Sequence, residues 1–373
     1  MTDDIRFVLE QALRAPSGDN TQPWRWVVRG ESIELWNESS DDPLHTLYSG
    51  SRDNSQASYL SFGAAIENAS VAATTRGYRA EISYFPDPAC PLLIAVLALL
   101  KDPSVAPDPL ADFLAARVTN RRPYRRVPLA DAERAALLSA TEDRALGEIK
   151  LLDDRQSVAK LATIASLHDE LIFSIKRLHA YIFSHINWTR REDDRRRIGF
   201  YFPTLAAPPF TWGFMQLMRH WWFMRIGIAC GLHRFISLEQ RIIYRESGGY
   251  GIMLLPGDSP ADWVRVGRLT ERVWLAATRE GLSLHPLNGV ILLSLSVETE
   301  EGKRMFSRAQ RQRLVEGSEG IARIFGVERG RIAFLFRVGR GRAPGGRTSR
   351  LPFERLVEVA APLEHAARSP HER

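Results

Sequence analysis

The chain has 373 residues, 45% of them apolar and 25% charged, with 50 basic against 44 acidic side chains and a formal net charge of +6. That length holds two ordinary domains or one large composite one, and the composition excludes a small disulfide scaffold and a mostly disordered chain. The basic balance admits anionic partners without calling for nucleic acid, and two lone cysteines, Cys90 and Cys230, make no framework and point to a reducing compartment, the cytoplasm.

In chain order, Asp3–Ala15 reads as an amphipathic helix with Ile5, Leu9, Ala12 and Leu13 on one side, and its acidic start is unlike a signal peptide. It stops at Pro16, and the polar loop Ser17-Gly18-Asp19-Asn20-Thr21-Gln22-Pro23 leads into a strand over Arg25–Val28. Small residues let a backbone approach a ligand closely, and Ser17 and Asn20 offer donors and acceptors; the same residues also suit a plain Asx-type turn. Gly63–Gly77 has small and apolar residues at helical spacing and a closing glycine, the pattern of a core helix with a left-handed C-cap. Strands over Arg79–Tyr84 and Leu92–Leu100 follow, the latter far short of the roughly 20 residues that span a bilayer.

In Arg117-Val118-Thr119-Asn120-Arg121 an extended backbone would point Arg117, Thr119 and Arg121 one way, a pocket of two guanidinium groups and a hydroxyl suited to phosphate or another anion. A solvated basic loop is the plainer alternative. A helix over Ala130–Ala140 and a strand over Glu148–Leu152 repeat the opening helix, loop and strand. Asp154–Gly248 reads as a helical insertion: a long amphipathic helix carrying Val158, Leu161, Ile164, Leu171, Ile175 and Leu178, the charge run Thr189–Arg197, and the aromatic segment Phe210–Leu232. Arg219, His220 and Arg225 interrupt that segment, so it reads as a helical cover over something apolar, or as an interfacial membrane helix, and not as a span.

Gly267–Gly281 then repeats Gly63–Gly77 at a constant offset of 204, identical at the opening Gly, the Glu, the Ala-Ala-Thr and the closing Gly. Either a half of the chain is duplicated or two alanine-rich helices converged; the strand expected over Val290–Val297 favours duplication. Between them lies the turn Leu284-His285-Pro286-Leu287-Asn288-Gly289, and a strand over Ile332–Val338 precedes the basic pair Arg347 and Arg350. Gly341–Thr348 mimics a phosphate loop but opens no long helix, no GxGxxG follows a strand, and the nine histidines have no ligand spacing, so no metal site is expected. Ala361–Arg373 reads as a frayed polar tail.

Taken in this order, these residues resemble the nitroreductase family of FMN-dependent oxidoreductases over nearly all of the chain except the insertion. Pro16 to Trp24 matches the family's Pro-Ser-x-x-Asn-x-Gln-Pro-Trp loop, and Arg117, Thr119 and Arg121 match its Arg-x-Ser-x-Arg element with Thr for Ser. Pro286 to Gly289 matches its Pro-x-x-Gly turn, and Arg347 and Arg350 are candidates for its C-terminal basic pair. The resemblance implies an α+β nitroreductase-like fold of two related halves fused in one chain, each with a mostly antiparallel sheet flanked by helices. The halves are residues 1–109, and 110–153 with 249–360; residues 154–248 form a helical lid and 361–373 a tail.

It further implies one FMN per chain, since the first half has the loop and the second the Arg element, with Thr141–Gly147 where its own loop would stand. The cofactor-binding residues implied are Pro16, Ser17, Gly18, Asn20, Arg117, Thr119, Arg121, Pro286, Leu287, Asn288, Gly289, Arg347 and Arg350. On this pattern Arg117 with Arg347 or Arg350 neutralises the phosphate, Arg121 sits near the pyrimidine edge, and the backbone N–H of Asn288 points at flavin N5. No side chain need act as acid or base; His285 beside the turn could donate a proton, though a lone histidine next to a proline is more often structural. The implied activity is two-electron transfer from NAD(P)H or substrate to an electron-poor or conjugated small molecule, by a monomeric pseudo-dimer or weak homo-oligomer. The alternative is a flavin-sequestering protein whose insertion closes the site.

Overall fold

A computed structural model describes residues 1–38, 56–140 and 144–360. The expected tail Ala361–Arg373 and the start of Thr141–Gly147 lie outside these residues. The first part of the chain runs α1 (Asp3–Ala12), β1 (Trp24–Arg29), β2 (Ser32–Asn37), α2 (Gln56–Thr74), β3 (Tyr78–Tyr84) and β4 (Leu93–Lys101). After α3 (Asp131–Ser139) and β5 (Glu148–Leu152) come α4 (Arg155–Ser174), α5 (Lys176–Ser184), β6 (Ile186–Asn187), α6 (Arg190–Arg196), β7 (Phe200–Tyr201), α7 (Trp212–Met218), α8 (Trp221–Ala229) and α9 (Leu232–Arg245). The remainder is β8 (Gly249–Leu254), α10 (Pro260–Arg279), β9 (Ser283–Pro286), α11 (Gly289–Ser296), α12 (Glu300–Met305), α13 (Arg308–Ile324), β10 (Ile332–Gly339), α14 (Phe353–Leu356) and β11 (Val357–Val359).

Two main sheets form, in the orders β11-β1-β2-β4-β3 and β5-β8-β10-β9. Leaving out β11, each reads first-second-fourth-third in its own order, with every neighbouring pair antiparallel. The repeated helices α2 and α10 lie between them and cross where neither has a side chain. A Cβ on Gly63 would stand 1.9 Å from the Val264 carbonyl oxygen, and one on Gly267 would stand 2.3 Å from that of Leu60. Leu60 and Val264 are related by the same offset as the two glycines, so the contact is reciprocal, as across a twofold axis. Both helices close on the left-handed glycine the pattern requires, Gly77 at φ +70° and Gly281 at φ +69°.

The largest core runs through both halves, with Phe62, Ile66, Leu97, Val266 and Phe336 in one cluster. Strand β10 is buried on both faces: Phe334, Phe336 and Val338 point into that cluster, while Ile332 and Leu335 join a second one with α4, α11 and α13. The last segment returns to the first half, where β11 adds in parallel to β1 with Trp26 opposite Val357.

Three expectations are corrected. Val290–Val297 is not a strand but helix α11, and the strand is the short β9, with Pro286 opposite Phe336. An apolar run of that length fits either state, and Asn288 decides it. Its side chain donates to the Ala333 carbonyl and accepts from the Leu335 N–H, both at 3.1 Å, taking up the edge groups of β10 that a longer strand would have paired. The long helix through Leu178 breaks at Ile175, whose backbone is extended, into α4 and α5. Phe210–Leu232 is helical but divided between α7 and α8, and among the described residues no helix is long and apolar enough to cross a membrane.

Candidate functional site

The loop after α1 is held in a conformation that side chains resist. Asp19, Asn20 and Gln22 all have positive φ, at 49°, 55° and 53°. Non-glycine residues accept this only where the surroundings compensate, and such strain gathers at functional sites. Here the compensation comes from within the loop and from three other parts of the chain. Ser17 Oγ accepts from the Gln22 N–H at 3.0 Å, and Asp19 accepts from the Tyr181 hydroxyl of α5 at 2.6 Å. The Asn20 amide donates to the Ser349 carbonyl at 3.0 Å, and its oxygen accepts from the Arg350 guanidinium. Buried Gln22 donates to the Arg197 carbonyl at 2.7 Å and accepts from the Leu351 N–H at 2.9 Å.

Beside this loop lies a cavity of about 240 Å³, with Pro16, Ser17 and Asn20 on one wall, and Arg117, Thr119 and Arg121 on another. Arg347, Thr348 and Arg350 close a third side, and the insertion supplies Phe200 and Thr204. Arg117 is buried over the Trp274 ring, donates to the Arg14 carbonyl at 2.9 Å, and sits 2.9 Å from buried Glu271. Its Nε nevertheless has no hydrogen-bond partner of good geometry among the described residues. Arg350 donates to Asn20 and to the Ala15 carbonyl, and Arg347 to the carbonyls of Ala115 and Ala116.

Three guanidinium groups thus line one cavity, with Glu271 beside Arg117 and its charge also felt by Arg350. Burial, and next the adjacent Arg117, push the Arg350 guanidinium down to about 9. Burial also lowers Arg347, again with Arg117 contributing. Burial pushes the Glu271 carboxyl up to about 7 against the opposing pull of Arg117. A cavity whose cations are crowded enough to disfavour their own charge attracts an anion, and guanidinium forks suit a phosphate.

Arg121 extends the basic wall, with its guanidinium over the Phe200 ring and a donated hydrogen bond to the Thr204 carbonyl. Behind it, Arg337 is fully buried between Tyr124 and Tyr244 and donates to the carbonyls of Arg121 and Arg122. Its Nε also donates to His285 Nδ1 at 3.1 Å, so His285 is an acceptor that burial and Arg337 hold well below its ordinary pKa. Its ring packs near Tyr244, behind the basic wall.

Of the residues singled out from sequence, the cavity wall gathers Pro16, Ser17, Asn20, Arg117, Thr119, Arg121, Arg347 and Arg350. Gly18 does not line it, and neither does the turn Pro286–Gly289. The turn is linked to it through β9, where Thr119 bridges Leu284 and the Asn120 N–H donates to the Leu284 carbonyl at 3.2 Å. At the turn itself His168 of α4 packs onto Gly289, so closely that a Cβ there would be 2.2 Å from the ring. Burial pushes that imidazole down to about 4 and keeps it neutral. Nor does Phe210–Leu232 reach the cavity; it covers the insertion's own apolar cluster of Phe183, Ile186, Phe202 and Met218.

Sequence reasoning missed Arg14, whose carbonyl accepts from Arg117 and Arg350, together with Phe200, Thr204 and His168. Arg14 stands two residues before the loop and was within reach of its signal; nothing local marks the three from the insertion.

No family model matches the chain. A Mycobacterium tuberculosis protein named "Putative NAD(P)H nitroreductase" is 32% identical over 174 residues, which are 45% of this chain and 48% of that protein. Another from the same organism, "Putative NAD(P)H nitroreductase acg", is 27% identical over 184 residues, 49% of this chain and 54% of the relative. The match spans about half the length of these relatives. Among solved structures, the FMN-dependent nitroreductase NfnB of Mycobacterium smegmatis in complex with NADPH aligns with a TM-score of 0.37 and 11% identity over 66% of this chain and 96% of its own, a likeness too faint to argue from.

Proposed function

We propose that the chain is an FMN-dependent oxidoreductase of the nitroreductase kind, a fused pseudo-dimer with one flavin site between its halves. The observation that carries this reading is the convergence of Arg117, Arg347 and Arg350 on one cavity beside the strained Pro16–Trp24 loop. These residues fit the phosphate of FMN: three guanidinium groups on one cavity, with mutual repulsion that an anion relieves. Thr119 adds a hydroxyl. The side chains of Ser17 and Asn20 are already bonded within the protein, so their part is to fix the wall. When bound, FMN supplies two-electron transfer at N5 between NAD(P)H and an electron-poor or conjugated small molecule. Arg121 then places positive charge beside the site, where it favours a reduced, anionic cofactor. The halves in this reading are residues 1–109, and 110–153 with 249–360, with 154–248 inserted between.

One observation favours a second reading, in which flavin is held with little turnover. The insertion packs His168 onto Gly289 and lines the cavity with Phe200 and Thr204, an arrangement suited to a closed site. Protein purified with FMN and mixed with NADH or NADPH without oxygen separates the two. Bleaching of the yellow colour within seconds supports turnover, persistence of the colour supports sequestration, and failure to retain FMN overturns both.

A further inference from the structure

Among the described residues fifteen large apolar side chains are exposed, and nine of them fall between Phe210 and Ile242. Eight of the nine lie on α7, α8 and α9, and Phe210 stands just before α7. Helix α7 packs on α8 and α8 on α9, with the Phe214 and Phe223 rings edge to face at 5.8 Å and Trp222 against Phe223 at the same distance. On α9 the outward residues Phe235, Leu238 and Ile242 keep helical spacing, and on α8 Trp222 and Ile226 do the same. Trp222 is 59% exposed and Phe235 65%. Contiguous apolar surface of this kind marks a docking face.

Charge selects the occupant. From Phe210 to Leu238 the chain has three arginines and no carboxylate, and Glu239 is the first acidic residue after them. Arg219, Arg225 and Arg234 stand exposed among the aromatic side chains. A second copy meeting this face through its own would set arginine against arginine with almost nothing to pair them. A negatively charged bilayer offers the reverse: phosphate headgroups for the guanidinium groups, an acyl boundary for the apolar side chains, and the interfacial depth that tryptophan prefers. A groove of about 480 Å³ that includes Leu238 adds Arg234 and Arg241 to this border, while its Arg313 is paired with Glu170.

We propose that the face made by α7, α8 and the outer side of α9 docks the protein on the surface of an anionic lipid bilayer without spanning it. The proposal stands apart from the flavin reading. The test is flotation of the full chain with vesicles of phosphatidylcholine containing phosphatidylglycerol, against phosphatidylcholine alone. Flotation is expected with the anionic vesicles only, weakening as salt rises, with a blue shift of tryptophan emission. Trp222→Ser with Ile226→Ser, and separately Arg219→Gln with Arg225→Gln, should each weaken binding at least tenfold while leaving the thermal unfolding midpoint at the wild-type value. Absence of flotation, or flotation indifferent to lipid charge, overturns the proposal. So does a dimer detected by light scattering that the Trp222→Ser and Ile226→Ser pair abolishes, since a second copy would then be the occupant.

Discussion

Glu271 stands where two demands meet. Deep burial disfavours its charge and Arg117 favours it, and burial prevails, so its carboxyl titrates at about 7 when folded against an ordinary 4.5. Between those values the folded chain holds a proton the unfolded chain has released, so this group's contribution to stability falls as pH rises through that window. An anion entering beside Arg117 competes with the ionised carboxylate. Sulfate, whose own charge is constant here, should therefore bind more weakly as pH rises through about 7, and Glu271→Gln should keep the tighter binding throughout; calorimetric titration at several pH values checks it. Arg347 is more exposed, and its loss leaves no buried charge behind. With a charge-assisted contact contributing about 1.5–3 kcal/mol, Arg347→Gln should weaken FMN binding at least tenfold, read by flavin fluorescence, with little change in unfolding midpoint. Alternation in a short extended segment singled out Arg117, Thr119 and Arg121; all three stand on the cavity wall, and so does the intervening Val118. His168 gave no such signal, because its helix α4 already has an apolar face that explains its pattern.

Among the elements, the crossing of α2 and α10 brings two helix backbones into direct contact, and it exists because Gly63 and Gly267 have no Cβ. Gly63→Ala would drive a methyl group into the Val264 carbonyl, which cannot yield as a flexible side chain would. Overpacking of this sort costs about 1–3 kcal/mol, and the denaturant midpoint should fall accordingly. Gly213 on α7 has open space around its Cβ position, so Gly213→Ala should be neutral or stabilise by up to about 1 kcal/mol. This contrast was readable in part: glycines at a constant offset pointed to a duplicated core helix, though not to their meeting. The strand misplaced onto Val290–Val297 shows the limit, since an all-apolar run has no period to separate strand from helix. What fixed it was Asn288 reaching across to β10, a contact between residues 45 and 47 positions apart.

At the scale of the molecule, two sheets of the same strand order face each other across the paired helices, and the chain returns through β11 to finish the first. The cavity draws its loop from the first half and Arg117 and Arg121 from the second. The equivalent position in the second half lacks the Asn-x-Gln-Pro-Trp sequence, which is why the proposed reading has one flavin site and not two. The paired halves were visible in the sequence, whereas the way α5 and α6 tie the loop through Tyr181 and Arg197 depended on how the insertion docks. The most direct measurement is the flavin content of protein saturated with FMN and freed of excess. One FMN per chain, reduced severely by Arg347→Gln, is the expected result; two per chain, none, or one that Arg347→Gln leaves untouched would contradict it.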